Sequence, residues 1–265
     1  MKKIIALTAS LITIFMGFSF DWPQEDVTEK SYSSYFGQKR GEIISTSLIF
    51  SEPSEVKAAE NGHILIIMKD DNNDDYFFPS TLGTSVIIAH DDNLVSVYGN
   101  LDNDSLTFNE YSSHEIESGT ILGNSGNTGW QTSKSNLEFQ IVDTNNNTAI
   151  NPKILMPRSE EEMPITLSGI YLQNKDGSYY DISKIKSYPS GLYRIYHTRD
   201  EIAAPYRTTI AINGITIDQI TYDTISHENG KSCATGKKKY TSSDIYPNDT
   251  LQLMGEAMLT PGKAT

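Results

Sequence analysis

The sequence predicts a mainly β protein, and three observations predict it. Short segments rich in β-branched and aromatic residues, at 64–68, 85–89, 94–98 and 137–141, recur between clusters of Gly, Asn and Asp. No stretch sustains a three-to-four-residue apolar period with a cap at each end, which a helix of useful length requires. The runs 208–212 and 215–218 bracket Asn213-Gly214, two residues that tolerate the positive φ of a type I′ turn, and this is the strongest hairpin signal in the chain.

Taken in order, the chain opens on an export signal. Lys2 and Lys3 precede the apolar stretch 4–18, and Gly17 and Ser19 supply small residues for cleavage after Ser19. An uncleaved anchor is the alternative, for which the apolar stretch is short. Cleavage takes the formal net charge from −13 to −15 and leaves an acidic chain expected in the periplasm or outside the cell. With 21 Lys and Arg against 34 Asp and Glu, a diffuse basic field for nucleic acid or anionic lipid is excluded. Membrane contact is therefore expected only through an uncleaved signal. The single cysteine, Cys233, excludes an internal disulfide framework and a thiolate metal cluster. The five histidines, His63, His90, His114, His197 and His227, form no H-E-x-x-H or H-x-H pair.

Strand segments fill 20–157. Within them the acidic stretch 70–75 places carboxylates at alternate positions, as a calcium loop does. Asp75 stands where the turn glycine belongs and Thr81 where a bidentate Glu belongs, so the stretch reads as a solvated loop. A polar segment closed by Pro157 and Pro164 sets the domain boundary at 158–164, with Glu160-Glu161-Glu162 as solvated linker. A second β block occupies 165–265. Its tyrosines, Tyr171, Tyr179, Tyr180, Tyr188, Tyr193 and Tyr196, are expected in a core and its rim rather than on a ligand platform.

The first block carries an ordered set of short motifs. They are Trp22-Pro23, Tyr35-Phe36-Gly37-Gln38-Lys39-Arg40, and Pro53 with Val56-Lys57-Ala58-Ala59-Glu60-Asn61-Gly62, followed by Val86-Ile87-Ile88-Ala89-His90 and Val97-Tyr98-Gly99-Asn100-Leu101. Next come Gly119-Thr120-Ile121-Leu122-Gly123, Ser125-Gly126-Asn127-Thr128-Gly129, Asn136-Leu137-Glu138-Phe139-Gln140-Ile141 and Asn151-Pro152. Each is weak alone. Together, in order and at nearly the right spacing, they resemble the LytM/lysostaphin-type zinc peptidoglycan endopeptidases, and the resemblance implies that family's β-sheet fold for residues 20–157.

The same resemblance implies five functional positions. Enzymes of the family hold Zn²⁺ with the His and Asp of an H-x-x-x-D motif and the second His of H-x-H. Two more histidines, the first of H-x-H and one two residues after a Tyr, handle protons and transition-state charge. Here the H-x-x-x-D positions fall on Ser45 and Ile49, the H-x-H positions on Asn136 and Glu138, and the position after Tyr98 on Asn100. A neutral hydroxyl is a poor ligand, isoleucine has no donor atom, and one carboxylate does not make a zinc site. Residues 42–50 contain no His or Asp, so a slipped alignment does not restore the motif. His90 matches a strand-end histidine outside the family's metal shell and reads as structural. The expectation is a degenerate domain, with no catalytic residue and no zinc or other cofactor.

Asn100 and Asn136 retain amide donors and acceptors, which suit binding better than proton transfer. With Trp130 on the loop 125–135, the candidate groove-binding residues are Tyr98, Asn100, Trp130, Asn136 and Glu138. The function expected is an exported, catalytically inactive LytM-like protein that binds peptidoglycan stem peptides or regulates a cell-wall hydrolase, the acidic balance favouring a protein partner. Two alternatives stand beside it: residual peptidoglycan metalloendopeptidase activity with Glu138 as a base, and a structural envelope protein. The block 165–265 more loosely resembles an immunoglobulin-like β-sandwich module. Its last edge is expected either to lack a strand or to be completed by a partner.

Overall fold

The computed structural model describes residues 20–69, 80–108, 114–130, 136–158, 167–199 and 206–262. The export signal at 1–19, the acidic stretch 70–75, the loop segment 131–135 and positions 159–164 of the expected boundary lie outside the described residues. The N-terminal part holds β1 (Tyr32–Ser34), β2 (Lys39–Arg40), β3 (Ile43–Ile44), β4 (Leu48–Phe50), β5 (Glu55–Lys57) and β6 (Gly62–Met68). It continues with β7 (Thr84–Ala89), β8 (Leu94–Leu101), β9 (Glu115–Ile116), β10 (Ile121–Asn124), β11 (Glu138–Asp143) and β12 (Thr148–Ile150). The C-terminal part holds β13 (Ser168–Gln173), β14 (Tyr179–Asp181), β15 (Gly191–Thr198) and β16 (Arg207–Ile212), then β17 (Ile215–Glu228), β18 (Lys231–Thr235), β19 (Lys239–Thr241) and β20 (Leu251–Leu259). The mainly β reading is thus what the molecule shows. Among the described residues the α-helix is confined to one turn, α1 (Ser242–Ile245), and no helix is long and apolar enough to cross a membrane.

Alternation explains why these segments are strands. Along β16 the side chains of Thr208 and Ile210 turn inward while Arg207, Thr209 and Ala211 face out, the period of two that a half-buried strand requires. Asn213 and Gly214 both adopt positive φ, 51° and 79°, so the predicted turn closes the β16–β17 hairpin.

The principal sheet runs β19-β18-β17-β12-β11-β8-β7-β6-β9, with β16 added to β17 and β4 to β11. Its order joins strands from both sides of the expected boundary. β12 pairs antiparallel with β17 at Thr148 with Ser226, Ala149 with Ile225 and Ile150 with Thr224. A single buried cluster accordingly includes Phe50, Tyr98 and Phe139 from the first part and Tyr222, Tyr240 and Tyr246 from the second. Trp22 Nε1 also donates to the Pro157 carbonyl at 2.9 Å, tying the start of the described chain to the end of the N-terminal part.

A second sheet, β14-β13-β15-β20, packs through β20 against β16 and β17. Gly255 allows the approach, because a Cβ there would meet Asp218 Oδ2 at 2.9 Å. β20 is the end strand of this sheet, and two of its main-chain groups are bonded by side chains from the facing strands. The Thr208 hydroxyl donates to the Met254 carbonyl at 2.8 Å, and Asp218 Oδ2 accepts the Glu256 N–H at 2.7 Å. At those two groups the edge of the end strand is taken up by buried side chains. The tyrosines divide as expected, Tyr193 and Tyr196 lying in the core while Tyr179 is exposed at the rim.

Candidate functional site

The five positions singled out by sequence lie where β4, β8 and β11 adjoin. Glu138 opens β11 and stands opposite both Gly99 of β8 and Ile49 of β4. Asn136 precedes Glu138 by two residues, the spacing at which an extended chain points both side chains to one face. Asn100 is in β8, and Ser45 lies just before β4.

Each is committed to an internal bond or to packing. Glu138 receives the Arg40 guanidinium at both carboxylate oxygens, Nη1 to Oε1 at 2.6 Å and Nη2 to Oε2 at 3.1 Å, and the Ser47 hydroxyl at Oε1 at 2.8 Å. Such a forked, charge-assisted pair is the strongest common way to hold a carboxylate out of water. The Glu138 side chain is 11% exposed and that of Arg40 36%. The Ser45 hydroxyl is spent on the Ser47 carbonyl at 3.2 Å, and the apolar Ile49 is buried.

Asn100 is an amide staple. Its Nδ2 donates to the carbonyls of Gly126 and Asn136 at 2.8 and 2.6 Å, and its Oδ1 accepts the Gly129 N–H at 2.7 Å. Its φ of 64° is left-handed, a conformation asparagine accepts more readily than most residues. The staple holds the Ser125 to Gly129 loop against β8. Asn136 Nδ2 reaches the Ser33 hydroxyl at 3.3 Å, while its Oδ1 is buried and accepts no hydrogen bond.

This arrangement corrects the candidate groove. Tyr98, Asn100 and Asn136 are each 0% exposed, so as they stand they offer a ligand no surface. The reason for Tyr98 is a second polar chain behind the sheet. Its hydroxyl accepts the Ala59 N–H at 2.8 Å and lies 3.1 Å from Ser96 Oγ, which in turn lies 2.7 Å from His90 Nε2. His90 Nδ1 is 2.7 Å from the Asn61 carbonyl, which can only accept, so the proton sits on Nδ1. Burial pushes the Tyr98 hydroxyl up to about 12 and holds His90 below the ordinary histidine range. His90 is therefore a structural link, as its strand-end position suggests. Trp130, 54% exposed, is the one candidate groove residue that presents substantial surface.

The donor set does not fit zinc. At the positions that the sequence resemblance assigns to ligands stand a hydroxyl bonded to main chain, a hydrocarbon, and a carboxylate whose two oxygens are held by a guanidinium. Among the described residues no group of three or more His, Cys, Asp or Glu is placed to hold a metal ion. Arg40 and Ser47 are the site residues that sequence reasoning missed. The signal was an acidic residue opening a strand that carries the apolar Phe139, Ile141 and Val142, since a buried carboxylate calls for a cation. Which of the 21 cations answers is a matter of tertiary placement.

Residues 45–152 match the model of peptidase family M23, and a separate family model matches residues 164–265. An uncharacterized protein of Treponema pallidum (strain Nichols) is 29% identical over 121 residues, which cover 42% of this chain and 79% of that protein. Among solved structures, the catalytic domain of a mutant of the prophage-encoded M23 protein EnpA from Enterococcus faecalis is 20% identical with a TM-score of 0.37, covering 46% of this chain and 88% of that one. The catalytic domain of lysostaphin from Staphylococcus simulans is 20% identical with a TM-score of 0.34, covering 43% and 82%.

Proposed function

We propose, from the match of residues 45–152 to the model of peptidase family M23, that the protein is an exported, non-hydrolytic relative of that family that works by binding in the cell envelope. Its ligand is the peptide part of peptidoglycan or a hydrolase that acts on it. One observation carries this reading: Glu138, at a position where the family places a metal ligand, is held by Arg40 and Ser47 instead. A carboxylate whose two oxygens are taken up by a guanidinium neither recruits zinc nor serves as a general base, because both roles need its lone pairs. The apolar start with Lys2 and Lys3 supports export, and the charge of −13 supports a protein or peptide ligand over an anionic wall polymer.

The test is a metal analysis of the mature protein run beside sedimentation with isolated sacculi. Less than one zinc in ten chains, together with retention on sacculi or stimulation of a purified hydrolase, is the expected outcome. Cleavage of muropeptide crosslinks that a chelator abolishes would sink the proposal. Trp130→Ala is expected to weaken retention severalfold while leaving thermal unfolding unchanged.

A further inference from the structure

Arg40 comes from a lip with fixed feet and a weak hold. β2 and β3 pair over only two residues each, Lys39 with Ile44 and Arg40 with Ile43, and Gly41 turns at the tip with φ 59°. A ladder that short contributes little stability by itself. The feet are anchored by the C-terminal part. The Tyr246 hydroxyl donates to the Gly37 carbonyl at 2.5 Å, and Ser232 Oγ accepts the Ile44 N–H at 2.9 Å, both in buried surroundings. Between the feet, Lys39 is tied to Asp249 at 2.7 Å, a pair whose carboxylate side chain is 88% exposed and so contributes little. Gly41, Glu42 and Ile43 are exposed.

Beneath the lip, Glu138 accepts from the Ser47 hydroxyl, whose oxygen in turn accepts from Arg40 Nη1 at 3.5 Å, and Asn136 Oδ1, two residues before Glu138, is buried without a donor. A buried acceptor without a donor is costly, and it favours any occupant that brings an N–H.

We propose that this centre is a seat for a ligand ammonium group, and that Arg40 is its resident, displaceable cation. A primary ammonium carries three N–H donors, enough for the Glu138 carboxylate, the Ser47 oxygen and Asn136 Oδ1, whereas the guanidinium is spent on the first two. Lifting the lip about its two feet exchanges one cation for another, so the carboxylate never stands unpaired. The ligand class is a peptide bearing a free amino side chain. The proposal rests on the reading that the protein binds wall peptide, whose ligand it names more narrowly.

The experiment is a titration of the mature full-length protein with a short synthetic peptide containing lysine and with its Nε-acetylated counterpart, followed by the side-chain Nε–H NMR signal of Arg40. The free-amine peptide is expected to shift that signal and to bind at least tenfold tighter than the acetylated one. Arg40→Gln, which removes the competitor, is expected to tighten binding of the amine peptide about tenfold, and Lys39→Ala, which loosens the lip, about twofold. Glu138→Gln is expected to abolish the preference for the free amine. Equal binding of the two peptides, or weaker binding by both Arg40→Gln and Lys39→Ala, overturns the seat. Sacculus retention that is unchanged when the wall amines are acetylated leaves wall binding intact and also overturns the seat. Amine-selective peptide binding without sacculus retention does the reverse.

Discussion

Two polar clusters are built on the adjoining strands β8 and β11, and they are held in different ways. The one around His90, Ser96 and Tyr98 is neutral and ends on main-chain groups of Asn61 and Ala59. The one around Glu138 is charged and closes only because Arg40 arrives from a hairpin whose feet are fixed by Tyr246 and Ser232, more than 180 residues away in sequence. A neutral cluster bonded to nearby backbone is self-sufficient, whereas a buried carboxylate depends on long-range packing to deliver its counter-charge. Asn100 belongs with the first kind although it adjoins the second, since all its partners are main-chain atoms.

The largest effect that would break this comparison is at Asn100. Asn100→Ala strands two carbonyls and an N–H in the interior and places alanine at a left-handed φ, for a loss on the order of 4 kcal/mol in urea unfolding. A loss below about 1 kcal/mol would show that the loop holds without its staple. Next comes the charged pair. Arg40→Ala is expected to cost about 2 kcal/mol, less than for a fully buried partner because Arg40 is partly solvated, while Arg40→Met combined with Glu138→Leu returns to within about 1 kcal/mol of the parent. A double variant as unstable as the single one would mean that the pair stabilises beyond its own desolvation.

In the neutral cluster Tyr98→Phe removes the acceptor of the Ala59 N–H and is expected to cost about 1.5 kcal/mol. The smallest effect is a pH dependence. His90 is held below its ordinary value by burial, so the unfolded chain takes up a proton that the folded one resists. Stability from neutral His90 is complete above the ordinary histidine range and is lost as pH falls through the lower folded value. Unfolding midpoints should therefore decline on acidification below about pH 6.5, and His90→Asn should flatten that decline. A parent protein whose stability is level across that window would remove His90 from the account.

Much of the fold was legible because it depends on local pattern. The alternation in 208–212, the Asn213-Gly214 turn and the apolar runs at 64–68 and 85–89 each announce a strand or a hairpin within a few residues. The joining of β12 to β17 was not legible, since a free strand edge does not say in sequence which other edge will meet it. The site divides in the same way. The expectation that Ser45, Ile49, Asn100, Asn136 and Glu138 stand at the family's functional positions comes from residue identity and spacing. That Tyr98, Asn100 and Asn136 are sealed from solvent follows from the bonds made by Ala59, Gly126 and Ser33, none of which a motif records.

The sequence by itself determined that the chain is mainly β and that its N-terminal part follows the M23 pattern, and it carries the expectation that zinc ligands are replaced there. Strand periodicity, turn residues and donor atoms are properties of short stretches, and short stretches suffice to read them. Only the tertiary structure decided what pairs with Glu138: a guanidinium set on it by contacts between chain segments far apart in sequence. Counter-charge acts through space over a few ångströms, so its source is fixed by packing rather than by position along the chain.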